Sequence, residues 1–374
     1  MFKKTRKHPL WKCVPLFAIV LILLLSGCKP SNHQLTEAPV LQTEAPVSVC
    51  LLSEVKVSGE AEGFVYLYDE NGYLSEYQVR SGDTVERTEK YTYDDQGNRL
   101  TASSYTSGDR LDSRWEYTYD ENGNKLSCRC FTAAGVMEHN NTYTYDDAGR
   151  ILSETSLDAD ENIRGKTVCT YDGAGRTLTE EHYGSDEVCK SRTQWSYDEK
   201  GNPLTQEYYE AGSLCYRYLN TFDPSGNLLT FIHESDGKII DSSEYTYDAE
   251  GNMLSHRYFQ SGKLRYQYAY TYGSAGELLE ESVENGDGSF FSRTVYTYDA
   301  SGRLISEEFF NALRQYRLEW TYDESGNLLS YTEFDGAGEP VCRIELSYTD
   351  LTLPPETAAQ CREQQKKLLS ELLP

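Results

Sequence analysis

A short turn, Asp-x-x-Gly, returns every 24 to 26 residues along most of this 374-residue chain, and nothing else in the sequence restricts its fold as strongly. Its glycines are Gly72, Gly97, Gly123, Gly149, Gly175, Gly201, Gly226, Gly251, Gly276, Gly302 and Gly326. The aspartates are Asp69, Asp94, Asp120, Asp146, Asp172, Asp198, Asp223, Asp248, Asp299 and Asp323, with Gly273 in that place before Gly276. Just ahead of each turn stands an aromatic ring: Tyr68, Tyr93, Tyr119, Tyr145, Tyr171, Tyr197, Phe222, Tyr247, Tyr272, Tyr298 and Tyr322, while Tyr348 opens a truncated twelfth copy. A fixed period of this length marks a repeat architecture rather than two or three globular domains.

The spacing has a physical cause. The aspartate carboxylate can accept bonds from backbone amides within the turn, and glycine supplies the positive φ with which a type I turn leaves through a bulge. Runs suited to strands flank it, "YTY" before and "LLS" or "ILS" after. Each unit is therefore a hairpin, and a second glycine, such as Gly108, Gly135 or Gly262, returns the chain to the next one. Alternation puts Tyr117 and Tyr119 on one face and Thr118 on the other, and Leu126 is expected across the turn near Tyr119. The later aromatics Tyr105, Phe131, Tyr183, Tyr209, Phe259, Phe310 and Phe334 fall on the opposite face unless a bulge restores the parity.

One hairpin cannot stand alone. Ordering a residue's backbone costs roughly 1–2 kcal/mol, whereas a buried ring returns only roughly 1.5–3 kcal/mol. Neighbouring hairpins must share walls, so the expected fold is all-β: a repetitive β-hairpin solenoid or spiral antiparallel sheet with capped ends. After Pro354 and Pro355, Ala358, Cys361, Leu368, Leu369 and Leu372 fall near one helical face, which predicts a short C-terminal helix covering the last open strand edge.

The first residues are basic, and "CVPLFAIVLILLL" follows, too short for a comfortable membrane span and suited to a signal segment. The next letters, "LSGC", resemble the lipobox of bacterial lipoproteins, which implies acylation of Cys28 and an exported protein held at the bacterial cell surface by its lipid. Residues 1–27 read as a lipoprotein signal peptide, 28–50 as the lipidated cysteine and a proline-rich tether, 51–350 as the repeats and 351–374 as the helical cap. The formal charge is −25, and residues 1–27 hold five basic and no acidic side chains, so the exported part is more acidic still. Such a surface repels nucleic acid.

The recurring string Y-x-Y-D-x-x-G-N/R-x-L, as in "YTYDDQGNRL", "YTYDDAGRIL" and "YTYDAEGNML", resembles the YD repeat, also called the RHS repeat, of bacterial wall-associated proteins, toxin shells and teneurins. The resemblance spans about residues 64–350 and implies hairpins joined into a long spiral sheet that can close into a hollow shell. "DPSG" at Asp223 to Gly226 shares letters with a core sequence of the toxin members, but its register makes it a repeat turn with proline where type I turns favour it.

Little in the chain signals catalysis. His139, His182, His233 and His256 occupy no common repeat position, which argues against a catalytic or metal cluster unless His182, His233 and His256 converge. Turn strings such as "DENGN" faintly echo calcium loops, although turn-forming explains their carboxylates; no other cofactor is expected. Eight cysteines beyond Cys13 and Cys28 do not follow the repeat, so no disulfide framework is expected. The expectation is a non-catalytic, membrane-anchored surface scaffold that binds an extracellular glycan, cell-wall polymer or protein, with the row Tyr93, Tyr119, Tyr145, Tyr171, Tyr197, Tyr247, Tyr272, Tyr298 and Tyr322 as binding track or core. The alternatives are a choline- or glucan-binding-like wall module and a remnant of an RHS toxin shell.

Overall fold

A computed structural model describes residues 46–58 and 62–372. They form 24 antiparallel strands, from Val47–Val57 to Pro340–Leu353, followed by one helix, α1 (Pro355–Leu372). Each strand pairs with the next along the chain, and the first also pairs with the last. The sheet is thus all-β and closed on itself. The expected open solenoid does not form, because the two strands that would have been its ends pair with each other. Strands spaced about 4.8 Å apart and tilted as barrel strands are would give a ring of 24 a diameter of about 40–50 Å. Strand packing is chiefly between ladder neighbours, although Tyr266 and Phe291 meet across an intervening strand with ring centroids 5.0 Å apart.

Closure follows the repeat. In an ordinary unit Tyr93 pairs with Arg99 and Thr92 with Thr101, leaving Leu100 as the bulge residue. At the seam Tyr348 pairs with Leu52 and Ser347 with Glu54, leaving Ser53 in the same place. The truncated twelfth copy is therefore completed by the first strand, and the ring consists of twelve hairpins, one of them split between the two ends of the chain. The first strand begins at Val47, within the segment read as tether.

That bulge corrects one expectation. Tyr119 pairs with Lys125 rather than Leu126, and Leu126 is left 40% exposed. The same register puts Tyr117, Tyr119 and their counterparts on one face, here called the tyrosine face, and sends Thr118 and its counterparts to the other. There the hydroxyls form a cross-strand ladder, with Thr92 to Thr101 and Thr118 to Ser127 each at 2.7 Å. The later aromatics also stand on this threonine face, as regular alternation predicts. Several lie under a guanidinium, Arg114 over Phe131, Arg192 over Tyr209 and Arg317 over Phe334, at 4.5–5.3 Å.

The most deeply buried side chains gather where the ring closes. Leu52, Val55, Phe64, Tyr66, Ile344 and Leu346 form one cluster, against which Leu368 and Leu369 of α1 pack. Val49, Leu51, Leu353, Ala358 and Cys361 form a second. The helix does not cover an open edge, since the last strand has none; it lies across the seam. Gln365 accepts from the Leu52 amide at 3.0 Å, and the Cys361 thiol lies 3.2 Å from the Gly72 carbonyl oxygen. Among the described residues no helix is long and apolar enough to cross a membrane. The signal segment, Cys28 and most of the tether lie outside the described residues, as does the side chain of Leu372.

Candidate binding face

The repeated turns are built as the spacing predicts. In the copy at Asp120 the carboxylate accepts from the amides of Asn122 at 2.9 Å and Asn124 at 2.8 Å, and its second oxygen accepts from Asn124 Nδ2 at 2.8 Å. Gly123 sits at φ 81° and donates its amide to the Asp120 carbonyl. These bonds favour the charged carboxylate, so Asp120 is held below its usual value, chiefly by Asn124; Asp146 is held down likewise, chiefly by Arg150. Oxygens engaged in this way act as turn formers. At the aberrant copy, Glu277 replaces the missing aspartate from the far side of the turn and accepts from the Ala275 amide at 2.9 Å. That substitution is readable only once the turn geometry is known.

The tyrosine row has a defined duty. Each ring reaches back to the preceding hairpin, and its hydroxyl donates to the carbonyl of the first residue on that hairpin's second strand. Tyr93 donates to Leu74, Tyr119 to Arg99, Tyr145 to Lys125, Tyr171 to Ile151, Tyr197 to Thr177, Tyr247 to Leu228, Tyr272 to Met253, Tyr298 to Leu278 and Tyr322 to Leu304. Tyr68 to Leu52 and Tyr348 to Leu328 carry the belt across the seam, and all these bonds are 2.7–3.0 Å long. Where Arg follows the turn glycine, it adds a second link, as Arg150 stacks over Tyr171 and Arg176 over Tyr197, both at 4.8 Å. The row is half-buried and committed to the scaffold.

Variation is concentrated one row further from the turns. The residue five after the turn glycine faces the position two before the belt residue, and where a tyrosine stands there the pairs include Tyr91 with Ala102, Tyr117 with Cys128, Tyr143 with Glu154, Tyr245 with His256, Tyr270 with Glu281 and Tyr296 with Glu307. In these copies an aromatic ring meets side chains of changing chemistry, whereas Cys169 and Asn220 take the place of the ring in two others. The Tyr143 hydroxyl donates to Glu154 at 3.0 Å, and its pKa is pushed up to about 12 by burial and by that carboxylate. His256 is sandwiched between Tyr245 and Tyr268, with centroids 4.7 and 4.8 Å away, and burial lowers its pKa to about 4. Burial raises both Glu281 and Glu307, and the charge of Glu281 raises Glu307 further.

A cleft of about 770 Å³ opens on this face beside α1. Tyr91, Tyr93, Tyr117 and Tyr119 form one wall with Arg99 and Lys125, and Gln364, Lys367 and Leu368 of the helix form the other. Arg99 lies 4.5 Å over the Tyr91 ring and Lys125 lies 4.4 Å over Tyr143. Both cations are thus held flat on rings, at the position opposite the belt tyrosine where the sequence pattern placed an apolar residue.

The convergence of His182, His233 and His256 that would have favoured a catalytic or metal cluster does not occur. His182 bonds to Thr167, His233 to Asp241, and His256 to Ser243, with no partner in common. Among the described residues, the histidine that meets two other ligand-type groups at once is His139, beside Cys130 and Glu138, a grouping the scatter of histidines along the chain concealed. The signal was a register: seven residues separate Cys130 from Glu138 across a hairpin turn.

A family model described only as "Uncharacterised protein" matches residues 159–271. None of the curated proteins matches. Among solved structures, the TcdB2–TccC3–Cdc42 complex aligns at 20% identity over 73% of this chain and 15% of that chain, with a TM-score of 0.42. A Photorhabdus luminescens Tc holotoxin pore aligns at 22% identity over 73% of this chain and 14% of that chain, with a TM-score of 0.43. A porin-like protein from Bacteroides uniformis aligns at 14% identity over 62% of this chain and 93% of that chain, with a TM-score of 0.26. The chain therefore spans only a small part of the toxin chains it aligns with.

Proposed function

We propose that this is a non-catalytic surface scaffold of the YD-repeat type, exported and lipid-anchored through Cys28, which holds a glycan or cell-wall polymer on the tyrosine face. The observation that carries the reading is the cleft beside α1. Its rings are half-buried but reachable, it is large enough for several sugar rings, and Arg99 and Lys125 supply cations in an otherwise acidic protein. Flat aromatic surfaces stack on sugar rings, and a cation laid on a ring can still engage carboxylate or phosphate substituents. The constant tyrosine belt holds the ring together while the variable row beside it supplies specificity.

The test is binding of the full chain, kept in mild detergent, to purified wall polysaccharide and to a panel of neutral and anionic glycans. A Tyr91→Ala, Tyr117→Ala double variant, checked for intact strand content by circular dichroism, should lose at least tenfold in affinity, about 1.4 kcal/mol. Equal binding by the variant, or no binding to any wall polymer by the parent protein, contradicts the proposal.

A further inference from the structure

The junction between the hairpins of Cys130 and His139 carries a feature unrelated to the cleft. These two residues are ladder partners on the tyrosine face, and the register shifts immediately beyond them, where Phe131 pairs with Met137. Regular alternation would send Glu138 to the threonine face. The bulge instead brings its carboxylate alongside, and the Cys130 sulfur lies 3.9 Å from Glu138 Oε2. Sulfur, carboxylate oxygen and imidazole nitrogen all lie within 4.8 Å of one another.

We propose that Cys130, Glu138 and His139 form a zinc-binding site. The donor set is a thiolate, an imidazole and a carboxylate, the combination that a borderline-soft ion accepts, whereas calcium and magnesium would want oxygen alone. Donors around a tetrahedral zinc are roughly 3.3–3.8 Å apart, so about 1 Å of side-chain contraction closes the site without moving the strands. Burial differs usefully among the three: Cys130 is 4% exposed, His139 is intermediate with its ring edge-on to Trp115 at 5.0 Å, and Glu138 is exposed. The packed side fixes sulfur and imidazole. The open side leaves a fourth position for water or for a group brought by another molecule. Binding replaces the thiol proton by the metal, and the ion then neutralises two anionic donors that would otherwise repel each other. Cys130 belongs to the hairpin of Asp120 and Glu138 and His139 to that of Asp146, so the ion would clamp two successive hairpins at the second turn that joins them, opposite in the repeat to the Asp-x-x-Gly end.

The test uses the full chain without a histidine tag, purified in detergent under reducing conditions, loaded with zinc and dialysed against metal-free buffer. Retained metal is measured by mass spectrometry, and a cobalt-loaded sample is examined for thiolate-to-cobalt charge transfer. The expected result is one zinc retained per chain, a charge-transfer band with cobalt, and normal retention in Cys128→Ser. Cys130→Ser and His139→Ala should each weaken retention by more than the roughly 10–100-fold typical of changes to groups that only support a ligand. His139→Ala decides the matter if Cys130→Ser lowers strand content, since His139 is only half-buried. No retained zinc in the parent chain, or undiminished retention in His139→Ala, overturns the site.

Discussion

The side chain of Asn220 donates through Nδ2 to the carbonyl of Pro203 at 2.9 Å. In the eleven other hairpins the equivalent carbonyl receives a tyrosine hydroxyl from the next hairpin. The twelfth ring is Phe222, which has none, and Asn220 stands two residues before it on the same face. The belt of bonds between hairpins is therefore unbroken around the ring, with one link made by an amide. Asn220→Ala should destabilise the protein by about 1–3 kcal/mol, because it strands a backbone acceptor. Adding Phe222→Tyr in that background should recover about 1 kcal/mol, as the hydroxyl takes over the vacant carbonyl. Denaturant titration of the two single variants and the double variant measures both effects.

The turn glycines should differ in their sensitivity to substitution. A Cβ on Gly97 would stand 2.5 Å from the Tyr73 hydroxyl, whereas one on Gly108 would meet nothing within 4 Å, although both have φ near +80°. Gly108→Ala should cost only the left-handed backbone penalty, about 1–2 kcal/mol. Gly97→Ala should cost about 1–3 kcal/mol more, because Tyr73 is buried against the Tyr93 ring and cannot withdraw freely. A Tyr73→Leu change combined with Gly97→Ala should show favourable coupling in a double-mutant cycle, and simple additivity would contradict the packing described.

Acid should weaken the fold in two steps. His256 is held at about 4 against an ordinary 6.5, so between those values the unfolded chain binds a proton that the folded ring refuses, and stability falls as pH drops through that window. The turn aspartates are also held below their ordinary value, so their contribution is present above about pH 4 and is lost below it. Glu281 and Glu307, both raised by burial, act in the opposite sense, since acid neutralises carboxylates that burial disfavours as ions. His256→Tyr should flatten the upper step, which is expected to be a fall of roughly 1–3 °C in Tm between pH 6.5 and pH 5 in the parent protein. Thermal melts by circular dichroism across this range check it.

Much of the scaffold was legible because its cause is local. Asp120 and Gly123 declare a turn through chemistry confined to five residues, and the alternation of Tyr117, Thr118 and Tyr119 declares a strand. Three features were hidden. The bulge that exchanges Lys125 for Leu126 opposite Tyr119 changes no letter of the pattern, only its register. Closure was hidden as well, because Leu52 and Tyr348 belong to opposite ends of the chain and the first strand lacks the turn that marks every other second strand. The meeting of Cys130, Glu138 and His139 depends on another bulge, so spacing alone could not reveal it. The belt of tyrosine hydroxyls explains why the aromatic is so regularly tyrosine, which burial of a ring would not by itself require.

The central claim is that the first and last strands pair and close the ring of twelve hairpins. Cys50 lies directly opposite Asp350 at the seam. Antiparallel partners stand about 4.5–5.5 Å apart at Cα, within the range a disulfide spans. The Asp350→Cys variant should therefore form a disulfide with the native Cys50 under mild oxidation and give a looped chain. The loop is detected as a shift on a non-reducing gel and, by mass spectrometry, as a disulfide-linked pair of peptides carrying positions 50 and 350, both absent when Cys50 is changed to Ser. Failure of that bond to form, or equal crosslinking of Cys50 to a cysteine placed at Glu345, would contradict the closed ring.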